Sequence, residues 1–321
     1  MGIHFNPSYV QFLFLEGGTK PNFFQRIERT IFYQYYTFLY KYFCQRIDQK
    51  TIEENIGVVP PLEDLAREIK FTLVYQYLGL TGSNLLPSNF IEVGGFHVAK
   101  PKPLPTDLKK FIEESPHGVI FISFGSMLRA SLTPKALIQT IIDAVSELPQ
   151  RVIWKWEDDN LPGNPKNIYS AKWLPQNDIL AHPKVLAFYS HCGMMSTTEA
   201  IHHGIPVVGM PIFGDQPANA AAVEESGLGV QIQLRDVTKE LLLEKFKTVL
   251  DSKFRENVKR ISRVWHDRPL SAMDTAIFWT EFAARNHNLT LRARAADVPY
   301  YQLLCLDVLF AFASVIFVIK Y

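Results

Sequence analysis

Several features are missing from this 321-residue chain, and each absence excludes a class of function. There is no surplus of either charge, because 33 Lys and Arg face 32 Asp and Glu; no overall field therefore recruits nucleic acid or an anionic surface. Only three cysteines are present, which form one bridge at most and exclude a disulfide framework. The nine histidines show no HExxH or Cys-x-x-Cys spacing, so the sequence predicts no metal site.

The N-terminus lacks the features of a targeting segment. No Lys or Arg precedes Lys20, and the apolar run over residues 9–15 is short and has no small-residue cleavage site after it. Asn6 stands where a myristoylation signal requires Ser or Thr. We therefore predict neither a secretory signal nor N-terminal lipidation.

The opposite end carries a long apolar run. Residues 300–319 contain a single charged side chain, Asp307, and a helix of this length matches the ~30 Å hydrocarbon core of a bilayer. Tyr300 and Tyr301 would lie at the membrane interface. We predict a transmembrane helix over residues 299–320; the alternative is a buried core helix.

Between the ends, strand and helix patterns alternate. An aromatic-rich segment over residues 21–50 has the spacing of one long helix, and strand-like segments follow at 71–77 and 90–94. After a Pro-rich stretch, predicted strands lie at 119–124, 151–156, 168–172, 185–190, 206–209 and 229–233, and predicted helices at 134–148, 193–203, 216–226, 238–250 and within 252–287. This alternation predicts the α/β class, with a doubly wound, mostly parallel sheet and right-handed crossovers.

The stretch from Trp173 to Gln216 places polar side chains where predicted strands end and helices begin, which is where open α/β sheets bind nucleotides. Trp173 precedes a proline-fixed turn and would present its ring to a flat base; the alternative is an ordinary buried tryptophan. Gln176 offers a donor and an acceptor to a pyrimidine edge or a ribose hydroxyl, or else caps the next helix.

His191 directly follows the predicted strand over residues 185–190, and Gly193 comes two residues later. Glycine permits close backbone approach, and the amides that open the next helix favour a phosphate. Ser196 adds a hydroxyl in the first turn, and Glu199 lies one turn deeper on the same face. A carboxylate there suits the hydroxyls of a ribose. The alternatives are a capping role for Ser196 and a solvated charge at Glu199.

Two further turns extend this pattern. Ser126 follows the predicted strand over residues 119–124 and suits a distal phosphate. Asp215 and Gln216 offer acceptors and a donor to sugar hydroxyls, unless Asp215 serves only as a helix N-cap. Together these residues predict a site for one elongated ligand with a flat base, a ribose, a pyrophosphate and a sugar.

These residues resemble the UDP-glycosyltransferase family, most closely its membrane-bound animal branch. The resemblance rests on WLPQNDILAHP, HCGMMSTTE, HHGIPVVGMPIFGDQPANA and the preceding GVIFISFGSM. It implies a GT-B fold, in which two Rossmann-like domains face a cleft and the second binds the donor. The implied divisions are a remnant of the acceptor-binding domain (1–99), a linker (100–117), the donor domain (118–265), C-terminal helices (266–298) and the transmembrane helix (299–320).

The resemblance also implies a reaction: a UDP-sugar, glucose favoured over glucuronate, gives its sugar with inversion to the hydroxyl of a small lipophilic acceptor. No cofactor beyond the UDP-sugar co-substrate is implied. Trp173 would stack on uracil, Gln176 would contact the uridine and Glu199 would hold the ribose hydroxyls. The pyrophosphate would be held by His191, Gly193, Ser196 and Ser126, and the sugar by Asp215 and Gln216.

The family's general base, a histidine oriented by an aspartate, has no counterpart that we can assign, because His4 lies after the position of that base. Transfer without it would be slower by ~10²–10⁴-fold. The sequence therefore supports two hypotheses: an active transferase, and a catalytically silent donor-binding fragment that acts by association with full-length relatives. Homo- and hetero-oligomers are both open. A nucleotide-binding epimerase is a third, weaker hypothesis.

The resemblance further implies a single-pass protein of the endoplasmic reticulum membrane, with a lumenal globular part and a role in detoxification. The arginines Arg285, Arg292 and Arg294 precede the apolar run and only Lys320 follows it, a distribution that favours a cytosolic globular part. The sequon at Asn288 would be glycosylated only in the lumen. We expect the lumenal orientation.

Overall fold

The computed structural model describes residues 6–8, 10, 15, 20–77, 80, 86–126, 129–286, 288 and 298–320. His4, Arg292, Arg294 and the threonine of the sequon lie outside the described residues. Within them, the predicted alternation of strands and helices forms a parallel sheet with helices on both faces, so the predicted α/β class is confirmed.

The N-terminal part is helical. The helices α1 (Phe23–Leu39) and α2 (Gln45–Asn55) continue one another through a π-helical turn at Tyr40–Cys44, and α3 (Leu62–Arg67) follows. Asn22 begins α1 with a capping box that satisfies two backbone amides. The long helix predicted over residues 21–50 is therefore present, with one irregular turn, and most of its aromatic side chains are exposed.

A small second sheet lies before the main one. Its two strands, β1 (Thr72–Val74) and β2 (Phe90–Glu92), pair in parallel. The segment predicted as a linker contains the helix α4 (Thr106–Glu113). Leu108 and Ile112 of this helix are buried in a hydrophobic core shared with the main sheet, so this segment packs on the sheet.

The main sheet has six strands that pair in parallel throughout. They are β3 (Val119–Ser123), β4 (Arg151–Lys155), β5 (Ile168–Ala171), β6 (Val185–Ser190), β7 (Val207–Gly209) and β8 (Gly229–Gln231). Their spatial order is β5-β4-β3-β6-β7-β8. The order runs in one direction from β3 to β5 and in the other from β6 to β8, which places the topological switch point between β3 and β6.

Helices cover both faces of this sheet. They are α5 (Lys135–Ser146), α6 (Gln176–Leu180), α7 (Met194–His203), α8 (Gln216–Glu225), α9 (Lys239–Leu250) and α10 (Ser252–His266). Every residue of β3 is buried, and its successive side chains join two different cores: Phe121 packs on one face and Ile120 on the other. Each such side chain stabilises the fold by about 1.5–3 kcal/mol. Burial on both faces explains the uninterrupted apolar run of this strand.

The C-terminal part is also helical, with α11 (Ala272–Arg285), α12 (Tyr300–Leu303) and α13 (Leu306–Lys320). Cys305 has a left-handed backbone, with φ 52°, and it separates α12 from α13. The predicted single helix over residues 299–320 is thus divided. Across the described ranges, none of the helices combines the length and the apolarity that crossing a bilayer requires, so the predicted transmembrane helix is not confirmed.

Candidate functional site

The carboxyl ends of β3 and β6 border a cavity of about 530 Å³ at the topological switch point. Ligands bind at such a point because the loops on either side lead to opposite faces of the sheet and leave a crevice. Eight of the nine predicted site residues line this cavity: Ser126, Trp173, Gln176, His191, Gly193, Ser196, Glu199 and Gln216. The ninth, Asp215, lies next to Gln216 at the start of α8.

Trp173 lines the cavity and comes two residues after Ala171, the last residue of β5. Its side chain is 75% exposed, so the alternative of a buried core tryptophan is wrong. What distinguishes this exposed ring is its place in the lining of the cavity. Pro175 and the buried Leu174 fix the turn behind it, and the ring is free to stack on a planar group.

Gln176 begins α6 and reaches across the cavity to α7. Its Nε2 donates to Ser196 Oγ at 3.0 Å and to Glu199 Oε2 at 2.5 Å. No side chain caps α6 or α7, so the capping alternatives for Gln176 and Ser196 are wrong. Glu199 is not a solvated charge either, because its side chain is only 13% exposed. The three residues form one polar group on the wall of the cavity.

His191 packs between the loops that follow β3 and β6. A Cβ at Gly125 would lie 2.8 Å from His191 Cε1, and one at Gly193 would lie 2.5 Å from Nε2. Gly125 also has φ 81°, a left-handed conformation that favours glycine. Both glycines are therefore required for the imidazole to occupy this place.

Burial lowers the pKa of His191 to about 4, against a smaller opposing effect of Asp215. The imidazole is therefore neutral at physiological pH, with one N–H donor and one acceptor. Its Nδ1 is buried and has no hydrogen-bond partner among residues 129–286 or the other described ranges. An unpaired buried polar atom calls for an explanation, and a hydrogen bond to a bound ligand is one that fits this cavity.

The turn at Cys192 connects His191 to α7. Cys192 has φ 59°, and a non-glycine residue in this conformation costs roughly 1–2 kcal/mol. Asn219 offsets this cost because its Nδ2 donates to the Cys192 carbonyl at 2.9 Å and to Asp215 Oδ2 at 2.7 Å. Burial raises the pKa of the Cys192 thiol to about 12, so this group is no nucleophile.

Asp215 is in the N-cap position of α8, but its side chain makes no capping bond and instead accepts from Asn219. Gln216 is buried, and its Oε1 accepts from the backbone amides of Ile212 and Phe213 at 2.9 and 3.1 Å. Gln216 thus fixes the loop after β7, and Asp215 shapes the turn beside His191.

Three residues of this region were not predicted. Lys155, at the end of β4, lines the cavity and pairs with Glu157 at 2.8 Å. A lysine at the end of the apolar run RVIWKW was the signal for it. Asn219 is four residues after Asp215, a helical spacing that predicts their contact. His97 lies 3.6 Å from Glu199, and nothing in its local sequence indicates this.

The cavity therefore combines an exposed aromatic ring, a largely buried carboxylate with two polar neighbours, and a helix N-terminus that no side chain caps. The amides that open α7 and its dipole favour an anion, and the neutral His191 adds a hydrogen-bonding group beside them. Within the ranges that the structure describes, no three His, Cys, Asp or Glu side chains are grouped to hold a metal ion. The arrangement suits a ligand with a planar group at one end and a phosphate further in.

Comparison with known proteins gives a consistent result. The family model described as "UDP-glucoronosyl and UDP-glucosyl transferase" matches residues 1–321. The chain is 40% identical to "UDP-glycosyltransferase UGT5" of Dactylopius coccus, over 100% of this chain and 62% of the relative. It is 36% identical to "UDP-glucosyltransferase 2" of the same organism, over 100% of this chain and 64% of that protein. The chain thus spans less than two thirds of the length of these relatives.

Among solved structures, the chain is similar to the "Glycotransferase of kitacinnamycin", with a TM-score of 0.56 and 20% identity over 74% of this chain and 61% of the other. This similarity concerns the fold and agrees with the α/β architecture described above.

Proposed function

The chain belongs to the UDP-glucoronosyl and UDP-glucosyl transferase family, and from this we propose that it binds a UDP-sugar and transfers the sugar to a hydroxyl of a small lipophilic acceptor. The observation that carries this proposal is the gathering of eight predicted donor-binding residues around one cavity at the switch point of the sheet.

In the proposed complex, uracil stacks on the exposed ring of Trp173 and Gln176 contacts the uridine. Glu199, already within hydrogen-bond reach of Gln176, accepts from the ribose hydroxyls. A carboxylate accepts well from paired hydroxyls because each of its oxygens has two acceptor sites. The pyrophosphate then lies at Gly193 and the first turn of α7, and the sugar extends toward Asp215 and Gln216.

The same site can stabilise the charge that develops on the departing UDP. Negative charge develops on the β-phosphate as the bond to the sugar breaks, and fixed amides and hydroxyls aimed at that oxygen stabilise it. Gly193 backbone, Ser196, Ser126 and the neutral His191 are the donors that we assign to this task. Loss of one such donor typically lowers kcat by about 10²–10³-fold.

We propose glucose as the transferred sugar, since the relative at 36% identity is named a glucosyltransferase; glucuronate is the second choice, because the family description includes both. We also propose that transfer inverts the anomeric centre, as a direct attack by the acceptor hydroxyl does. The anomeric coupling constant of the product, measured by NMR, tests the inversion.

The test of the main proposal begins with calorimetric titration of the purified chain with UDP. It continues with incubation of the chain with UDP-glucose or UDP-glucuronate and a panel of phenols, with product detection by mass spectrometry. We expect saturable UDP binding and a glycoside from one donor. The absence of UDP binding would refute the proposal.

A second candidate function is donor binding without turnover. The observation that favours it is that ligand binding alone accounts for the grouping of the predicted residues around one cavity. UDP binding with no product from any donor and acceptor would support it. Co-expression with a full-length relative, followed by co-purification and activity measurement, would then test whether the chain acts by association.

We also propose that the apolar segment near the C-terminus attaches the protein to the membrane of the endoplasmic reticulum, with the globular part in the lumen. The support is the run over residues 300–319 with its single charge, Asp307, and the exposure of the large apolar side chains of α13. Resistance to carbonate extraction tests the attachment. A mobility shift with endoglycosidase, lost in Asn288→Gln, tests the orientation.

A further inference from the structure

We propose that His97 is a positioning residue that holds the Glu199 carboxylate in place for the ribose of the donor; this role rests on the proposed function. His97 belongs to the turn after β2, outside the predicted donor domain, whereas Glu199 lies on α7 inside it. The ribose contact would then depend on a residue contributed by another part of the chain.

The turn after β2 is fixed tightly against α7 and α10. Gly95 has φ 94°, and a Cβ there would lie 2.8 Å from the ring of Trp265 on α10 and 3.4 Å from Thr198 on α7. The neighbouring carbonyl of Gly94 accepts from Arg268 Nη1 at 2.8 Å. Only a glycine at position 95 lets the turn come this close to α7 and α10, and this packing places His97 beside Glu199.

The two groups that face the ring nitrogens of His97 favour one placement of the ring proton. The Tyr75 hydroxyl lies within hydrogen-bond distance of His97 Nδ1. Burial raises the pKa of Tyr75, with smaller effects of Thr198 and Gly95 in the opposite direction, so the phenol keeps its proton and can donate it to Nδ1. The Glu199 carboxylate only accepts hydrogen bonds, so it favours an N–H on Nε2, the ring atom that faces it, and Nδ1 then accepts from Tyr75.

His97 Nε2 lies 3.6 Å from Glu199 Oε1, and the two side chains are only 17% and 13% exposed. Nε2 has no hydrogen-bond partner within the described part of the chain, and it faces an acceptor, the carboxylate. The distance is slightly too long for a hydrogen bond, so the contact is electrostatic as it stands and closes with a small movement of Glu199.

Glu199 is thereby held from two sides. Its Oε2 accepts from Gln176 on α6, and its Oε1 faces His97. A buried carboxylate needs such partners, because an unpaired one turns toward solvent or takes up a proton. Two other titratable groups, His203 and Tyr75, also interact electrostatically with Glu199. Of these two and His97, His97 is the group that directs a ring nitrogen at Oε1, at 3.6 Å.

The inference predicts a loss that is specific to the ribose hydroxyls. We would measure the Kd of UDP and of 2′,3′-dideoxy-UDP by calorimetry for the wild type, His97→Ala, His97→Gln and Glu199→Ala. In His97→Ala, UDP binding should weaken about tenfold, the low end of the loss for a hydrogen bond to a charged group, because the contact closes to such a bond only when Glu199 moves. Binding of the dideoxy compound, which has no hydroxyls for Glu199, should not change.

The other variants make the result decisive. His97→Gln retains an N–H donor near the position of Nε2 and should restore most of the preference for UDP. The double variant with Glu199→Ala should bind no worse than Glu199→Ala alone, because the two residues act through the same contact. His117→Ala removes an exposed histidine and is the matched control.

A failure of this inference differs from a failure of the proposed function. If the wild type binds UDP but His97→Ala weakens UDP and dideoxy-UDP equally, His97 has a general structural role and the inference is wrong. Unchanged binding of both ligands would overturn it as well. If the wild type binds neither ligand, the proposed function fails and the inference falls with it.

Discussion

Replacement of Trp173 by alanine tests the predicted base-stacking surface directly. The side chain is 75% exposed, and it takes part in none of the hydrophobic cores of the described residues. Substitutions at such positions change stability by about ±0.5 kcal/mol or less. The variant should therefore fold normally, and any loss of ligand binding reports on the ring itself.

The size of the loss follows from the stacking energy. Stacking of a base on an aromatic side chain contributes about 1–3 kcal/mol, and each 1.4 kcal/mol is about a factor of ten in Kd. Trp173→Ala should therefore raise the Kd of UDP by roughly 5–150-fold. Trp173→Phe keeps a smaller ring and should lose less.

Calorimetric titration with UDP and with inorganic pyrophosphate measures this. Pyrophosphate has no base, so its Kd should be the same in Trp173→Ala and the wild type. Phe24→Ala, which removes an equally exposed ring from α1 (77% exposed), is the matched control. An unchanged Kd of UDP in Trp173→Ala, with an unchanged Tm, would refute the stacking role.

Three further predictions concern the phosphate end of the cavity. Gly125→Ala and Gly163→Ala both force alanine to a positive φ (81° and 75°), but only the first places a Cβ against His191. Gly125→Ala should therefore lower the free energy of unfolding, measured by denaturant titration, by about 1–3 kcal/mol more than Gly163→Ala does. It should also weaken UDP binding in calorimetry. Because the pKa of His191 is lowered to about 4, the unfolded state takes up this proton before the folded state does as the pH falls. Up to about 3 kcal/mol of the free energy of unfolding, present above pH ~6.5, should therefore be lost toward pH 4. The loss should be smaller in His191→Gln, which has no titrating side chain at this position. Asn219→Ala should destabilise the fold by about 1–3 kcal/mol, because it leaves the carbonyl of Cys192 without its buried donor, and an unchanged Tm would contradict this.

The main sheet could be predicted because its strands are short apolar runs between turn residues. Burial of β3 on both faces requires such a run, and the run is visible in the sequence. The helix α4 could not be predicted in the same way. It has eight residues, follows a Pro-rich stretch, and buries only Leu108 and Ile112, which is too little for a helical period to stand out. The break between α12 and α13 could not be predicted either, because a left-handed backbone at Cys305 does not change the hydropathy of the segment.

The cavity could be predicted for a different reason. Strands that run in parallel bring their carboxyl ends to one edge, so residues that follow β3 and β6 had to meet there. The side chains that contact these residues could not be predicted in the same way. The contact of His97 with Glu199 depends on how the turn at Gly95 packs on α7, and a single sequence contains no spacing that reports on packing between distant segments.

The electrostatics of the site lead to a last prediction. The neutral His191 contributes no full positive charge, and Lys155, the cation in the described lining, is already paired with Glu157. Phosphate binding then depends mainly on the amides of α7 and on hydroxyls, whose dipoles are screened less by salt than free charges are.

Glu157→Gln would release the ammonium of Lys155 beside the cavity. Glu157 also accepts from the Ser131 amide at 3.3 Å, and the glutamine oxygen would preserve that contact. We expect this variant to bind UDP more tightly than the wild type at low salt and to lose the advantage at high salt. Equal affinities at both salt concentrations would show that Lys155 lies too far from the phosphates to contribute.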